Sequence, residues 1–175
     1  DYCGYTLVNG CNGILVSLPK WKKKNLSFSE ILHNLSEVIE ASMGGTSGGL
    51  YSIFISGCLS GLLDQKEKSK KEVSVDSALL ATVLNNGLDV LFKYTKAREG
   101  DSTMIDALEP FIRTFKDTKG DFKAAYKAAE EGMTKTAESK AKFGRASYVG
   151  ESSAKHADPG AVGVVEFLKG VLQTL

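Results

Sequence analysis

The chain has 175 residues, a size for one domain with a core large enough that neither disulfides nor a structural metal are needed. Lys plus Arg number 22 against 21 for Asp plus Glu, and this net charge of +1 argues against a dedicated nucleic-acid binder. Charged residues at 25% and hydrophobic ones at 42% exclude a disordered chain, and three cysteines are too few for a disulfide scaffold. They read as reduced intracellular thiols, so a cytoplasmic location is expected. Eighteen glycines against three prolines suggest that backbone approaches something closely at several places.

The dominant period is helical. Leu7, Cys11, Ile14, Leu15 and Leu18 mark a first helix that Pro19 is expected to close. Ser27 and Glu30 form a capping box, followed by the apolar face Ile31, Leu32, Leu35, Val38 and Ile39. A third helix is predicted over about 48–63. Its apolar part, Leu50 to Leu63, is 14 residues, short of the ~20 that span a bilayer, so no membrane span is expected. A fourth runs from near Ser74 to about Ala97, and a fifth follows Ser102–Thr103 with Pro110 inside it. A sixth starts at Asp121. The seventh starts at Asp158-Pro159, a capping residue followed by Pro at the first helical position. Strand-like alternation is absent, so the fold class is all-α, without a linker that would split residues 1–175.

Two kinds of connection alternate. Before helices two, four and six they are Lys-rich: 20–25, 64–71 and 117–120. Before helices three, five and seven they are rich in Gly, Ser and Thr: 43–49, 99–104 and 143–150. Short connections make consecutive helices antiparallel, so helices one, three, five and seven should start at one end. Helix starts carry unpaired N–H groups and the positive end of the dipole. Several together make an anion site, most naturally for phosphate. The expectation is that Thr46, Thr103, Arg145 and Asp158 surround one cavity. Arg145 is one of three arginines and sits between Gly144 and Ala146, and Arg suits bidentate phosphate contact. His33 reads as structural or exposed. His156 lies near Asp158. The cysteines lack metal-ligand spacing.

Read together, five segments resemble the C-terminal, nucleotide-binding (L-type) domain of dihydroxyacetone kinases, and most the single-chain, ATP-dependent kinases of eukaryotes. They are Cys3-Gly4-Tyr5-Thr6-Leu7, residues 42–51 around Gly45-Thr46-Ser47, and Ser102-Thr103-Met104-Ile105-Asp106-Ala107-Leu108-Glu109-Pro110. Gly144-Arg145-Ala146-Ser147-Tyr148-Val149-Gly150-Glu151 and Asp158-Pro159-Gly160-Ala161-Val162-Gly163 complete the set. The resemblance implies an up-and-down barrel of about seven antiparallel amphipathic helices, eight in the complete domain. It implies ATP across one end, its phosphates held through Mg2+. Thr46 and Ser47, with Gly45, would contact phosphate. Thr103, Met104, Arg145, Asp158, Pro159 and Gly160 would line the nucleotide site, and Cys3, Gly4, Tyr5 and Thr6 would start the helix beneath it.

The family pattern binds magnesium through three aspartates in and before a G-D-G-D-x-G segment. Here ungapped alignment puts Tyr2 at the last aspartate, and one insertion makes it Asp1. Either way the expectation is an incomplete metal site and an absent first helix. The substrate-bearing histidine is expected on a separate dihydroxyacetone-binding domain, neither His33 nor His156 matching it, and the complete enzyme is expected to be a homodimer. Two other readings stay open at this point: an ATP-binding subunit of a fatty-acid-type kinase, and a non-catalytic helical module with a degenerate metal site.

Overall fold

The structure is a computed structural model that describes residues 2–69, 73–139, 142–143 and 156–175. All regular structure among them is helical, in seven α-helices: α1 (Tyr2–Lys24), α2 (Phe28–Ser42), α3 (Gly45–Ser69), α4 (Ser77–Tyr94), α5 (Ile105–Asp117), α6 (Phe122–Lys135) and α7 (Pro159–Leu172). A single 3-10 turn, Thr136–Glu138, follows α6. The helices fall into two compact units, residues 1–94 and 95–175.

In the first unit consecutive helices run antiparallel, and glycine sets their spacing. A Cβ on Gly10 would lie 2.7 Å from Met43 Sδ, and one on Gly13 would strike Ser42 Oγ. The inner stripe of α1 is therefore the small residues Thr6, Gly10 and Gly13. The expected apolar face is corrected: Cys11 and Leu15 are exposed, as are Tyr5, Val8 and Val16. Pro19 does not close α1 either. The carbonyl that its missing N–H leaves free is that of Leu15, on the exposed side of the helix.

Ser27 caps α2 as predicted. It donates its N–H to Glu30 at 2.8 Å, and its Oγ accepts from the Glu30 N–H. Ser36 ties α2 to α3 through Ser56 Oγ at 2.8 Å. The α3–α4 contact is closest at Gly87, whose Cβ would lie 2.5 Å from Cys58 Sγ. Beside it Cys58, Leu62, Leu79 and Val83 form the core, with Phe28, Leu32 and Phe54 packed on it. Burial pushes the Cys58 thiol up to about 12. At 25 residues α3 is longer than its predicted extent, and by length and composition alone it is long and apolar enough to cross a membrane. It packs between α2 and α4 through Gly57, Cys58, Gly61 and Leu62. The predicted Lys-rich loops at 20–24 and 64–69 are the last turns of α1 and α3, where lysines complement the negative end of the helix dipole.

In the second unit α5 and α6 pack antiparallel. Phe111 stacks on Phe115 at 5.9 Å, and both meet Phe122 edge-on. Pro110 lies inside α5, so the Asp106 carbonyl four residues earlier has no amide to accept from. Gly132 of α6 stands against that oxygen, so closely that a Cβ there would overlap it. Ala125 and Ala129 continue the same inward face.

Two alanine substitutions separate packing from helix propensity. Gly170, in α7, has nothing within 4 Å of an added Cβ. Gly170→Ala should raise stability by up to ~1 kcal/mol. Gly132→Ala should lower it by about 2 kcal/mol, since overpacking of ~1–3 kcal/mol outweighs the propensity gain. Urea unfolding of the two variants checks the opposite signs.

Candidate functional site

The candidate residues gather at helix starts, one pair in each unit. In the first unit the starts of α1 and α3 meet. Gly45 has φ +70°, and a Cβ there would sit 3.2 Å from Tyr2 Oη. Cys3 Sγ is 3.7 Å from Ser47 Oγ, and Thr6 donates to the Cys3 carbonyl at 2.9 Å. Gly48 lies under the Met43 carbonyl, which lets α2 turn directly into α3. The segment expected to be a loop, Gly45 to Gly49, is therefore the first turn of α3.

The consequence for chemistry is direct. The N–H groups of Gly45, Thr46 and Ser47 belong to a first turn and have no helical carbonyl to bond. Thr46 is exposed and Ser47 half-buried. Gly4 and Gly49 face open space. Packing requires Gly48 but neither of these two, so the backbone here is left bare. Such a surface suits an anion held by N–H groups, hydroxyls and the helix dipole.

In the second unit the starts of α5 and α7 meet. A Cβ on Gly160 would lie 3.3 Å from both Met104 Cβ and Met104 N. Met104 occupies the cap position of α5 and makes no side-chain cap bond, while Thr103 Oγ1 accepts from Ile105 N–H at 3.2 Å. Buried Asp106 orders the turn. Its Oδ1 accepts from Gly100 N–H at 2.7 Å and its Oδ2 from Thr103 N–H at 2.8 Å. Ser102 adopts φ +59° and donates to the Thr136 carbonyl at 3.1 Å. Asp158 caps α7 as predicted, accepting from Ala161 N–H at 2.8 Å, and its own N–H donates to Thr136 Oγ1 at 2.8 Å. Burial, with a smaller push from the Asp106 charge, raises the Asp158 carboxyl above its ordinary value. On the same loop Asp101 pairs with Lys142 at 2.6 Å, and that hydrogen bond holds its carboxyl below the usual range.

Thus Cys3, Gly45, Thr46 and Ser47 come together in one unit, and Thr103, Met104, Asp158, Pro159 and Gly160 in the other. Tyr5 points outward at 67% exposure. Asp1 and Arg145 lie outside the described residues. His33 and His156 are both exposed. Sequence reasoning missed Asp106 and Thr136 as organisers. The only signal for Asp106 was a carboxylate three residues after Thr103, the spacing of a reciprocal cap.

A family model described as the DAK2 domain matches residues 2–173. The chain belongs to the DAK2 domain family. Dihydroxyacetone kinase 1 of Saccharomyces cerevisiae is 57% identical over 173 residues, 99% of this chain and 29% of that protein. The ADP-binding subunit of the PEP-dependent dihydroxyacetone kinase of Escherichia coli is 28% identical over 169 residues, 93% of this chain and 76% of that subunit. The crystal structure of the C. freundii dihydroxyacetone kinase in complex with AMP-PNP and Mg2+ superposes with a TM-score of 0.71 at 26% identity, covering 98% of this chain and 28% of that one. The DAK2 chain thus spans under a third of the single-chain kinases it resembles, and the resemblance read from its five motifs is borne out.

The raised Asp158 carboxyl has a stability consequence. Between the ordinary aspartate value near ~4 and its higher folded value, the native state binds more protons than the unfolded state. Its contribution is therefore complete below ~4 and is lost as pH rises through the folded value. Asn also caps helices well, so Asp158→Asn should remove this slope while keeping α7. Wild type minus variant stability, measured in urea from pH 4 upward, should fall with pH and then level off.

Proposed function

We propose that this DAK2 chain is the nucleotide-binding part of an ATP-dependent dihydroxyacetone kinase, passing the γ-phosphoryl of ATP to dihydroxyacetone held on a separate domain. The observation that carries the reading is the junction of the α1 and α3 starts, with Tyr2 on Gly45 and Cys3 beside Ser47. It leaves a Gly-Thr-Ser-Gly-Gly first turn whose leading N–H groups and Thr46 hydroxyl lie on an open surface. The AMP-PNP and Mg2+ complex of the C. freundii kinase supports it from a relative.

In this reading Thr46 and Ser47, with the N–H groups of Gly45 to Ser47, hold the triphosphate. Thr103, Met104, Arg145, Asp158, Pro159 and Gly160 contact the nucleotide. Phosphoryl transfer needs little covalent work from protein, so these groups act by positioning and by stabilising developing charge. Magnesium would neutralise the triphosphate. The described residues do not by themselves fit such a site, since no group of three or more His, Cys, Asp or Glu gathers among them. Tyr2, at the α1–α3 junction, is no ordinary magnesium ligand, because this hard cation prefers carboxylate, phosphate and water oxygens. No step is therefore assigned through the metal.

Isothermal titration with Mg-ATP should show saturable, magnesium-dependent binding. Thr46→Ala should weaken it roughly tenfold, about the ~1.5 kcal/mol of one hydrogen bond to a charged group. Absence of binding at millimolar Mg-ATP would favour the non-catalytic module. A coupled assay for dihydroxyacetone phosphate should find no turnover by the 175-residue chain alone, because no acceptor hydroxyl is held in line. Intramolecular placement of that kind is worth ~7–11 kcal/mol. Robust turnover would overturn the two-domain reading.

A further inference from the structure

The far end of the α1–α2 pair carries a recess of about 260 Å³. It is lined by Lys20, Trp21 and Lys24 from the last turns of α1 and by Glu30, His33 and Asn34 from α2. Its size falls just below the ~300–1,000 Å³ of drug-sized ligand sites, which fits a small metabolite.

The lining is one-sided in its hydrogen bonding. Among the described residues no hydrogen bond to protein is made by the Lys20 or Lys24 ammonium, the Trp21 indole N–H or the Asn34 amide. Lysine and indole are donors without acceptor capacity. The one carboxylate present, Glu30, keeps its charge: its hydrogen bonds with Ser27, and more weakly the Lys24 and Lys66 charges, hold it below the usual carboxylate range. Glu30 Oε2 takes both the Ser27 N–H at 2.8 Å and the Ser27 hydroxyl at 2.7 Å. The nearby Lys66 is directed elsewhere, onto Ser29 Oγ at 2.9 Å. His33 leans on Glu37 at 3.6 Å, with both side chains exposed. Two ammonium groups thus face one carboxylate, an excess of one positive charge, and donors line the recess from both helices. Trp21 and Asn34 are half-buried, so part of this donor set is fixed by packing.

We propose that this recess binds a small phosphate-bearing anion, with Lys20 and Lys24 neutralising it and the Trp21 indole and Asn34 amide orienting it. Trp21 lies nineteen residues beyond Tyr2 on one helix, roughly 28 Å away at ~1.5 Å per residue. The site is therefore separate from the α1–α3 junction, and its occupant does not compete for the groups around Thr46. The inference does not rest on the nucleotide reading.

Trp21 is the only tryptophan, so the recess reports on itself. The experiment is a fluorescence titration of the 175-residue chain with inorganic phosphate and, separately, with glycerol 3-phosphate, at ionic strength balanced by NaCl. The expected result is a saturable change in indole emission. Saturation by inorganic phosphate alone identifies free phosphate as the ligand, and tighter saturation by the monoester identifies a phosphate ester. Lys20→Gln combined with Lys24→Gln should weaken the response at least tenfold with helical circular dichroism unchanged. Thr46→Ala should leave it as in wild type. If the double variant loses helicity, Lys24→Gln alone should weaken the response at least threefold. A response that is linear in phosphate, that NaCl reproduces, or that survives the lysine substitutions at full affinity overturns the proposal.

Discussion

The approach of helix backbones at glycine is the constraint on which the remainder of this structure depends. Gly10 and Gly13 seat α1 on α2, Gly48 folds the start of α3 beneath the end of α2, and Gly87 brings α4 against Cys58. In the second unit Gly132 and Gly160 do the same for α6 and α7. At most of these positions a methyl group would meet neighbouring side-chain or backbone atoms within 3 Å, closer than real packing tolerates. The helix starts are brought together because the helices behind them are held this near. A bundle spaced by leucines, at the wide end of the 8–10 Å interaxial range, would leave the same loops further apart.

Both helix-start pairs follow this plan but differ in what finishes them. The α1–α3 start is more open: among the described residues no side chain bonds the Gly45, Thr46 or Ser47 amides, and Gly4 and Gly49 face free space. The α5–α7 start is filled with internal bonds, from Asp106 to Gly100 and Thr103, and from Thr136 to Asp158 and Ser102. The first arrangement leaves the Gly45 to Ser47 amides outside any internal network. The second commits its donors to an internally bonded turn around Thr103 and Gly160. Asp158, half-buried, is part of that surface, and its partial burial raises its carboxyl above the ordinary value.

Much of this was legible in the sequence, for identifiable reasons. Helix period and caps are local, so the Ser27–Glu30 box, Asp121 and Asp158 are all read correctly within four residues of chain. The DAK2 motifs are local too. The misreadings share one cause, which is that composition does not reveal what surrounds a residue. Pro19 is tolerated because its side of α1 is open, and Gly45 to Gly49 are helical because Met43 turns the chain over Gly48. Thr136 was invisible as an organiser because its partners are 22 and 34 residues away. No spacing rule reaches that far.

The cysteines give the first unit an internal clock. Cys11 is exposed and Cys3 half-exposed, whereas Cys58 sits at 3% exposure in the α3–α4 contact with its thiol pushed up to about 12. A thiol reagent attacks the thiolate, so Cys58 is both shielded and chemically muted. Its labelling must wait until α3 and α4 separate. Under a fast reagent the rate of that third modification equals the opening rate of this contact, and under a slow one it reports the opening equilibrium. The native protein therefore carries a residue-level readout of the stability of its own core, without any engineered probe.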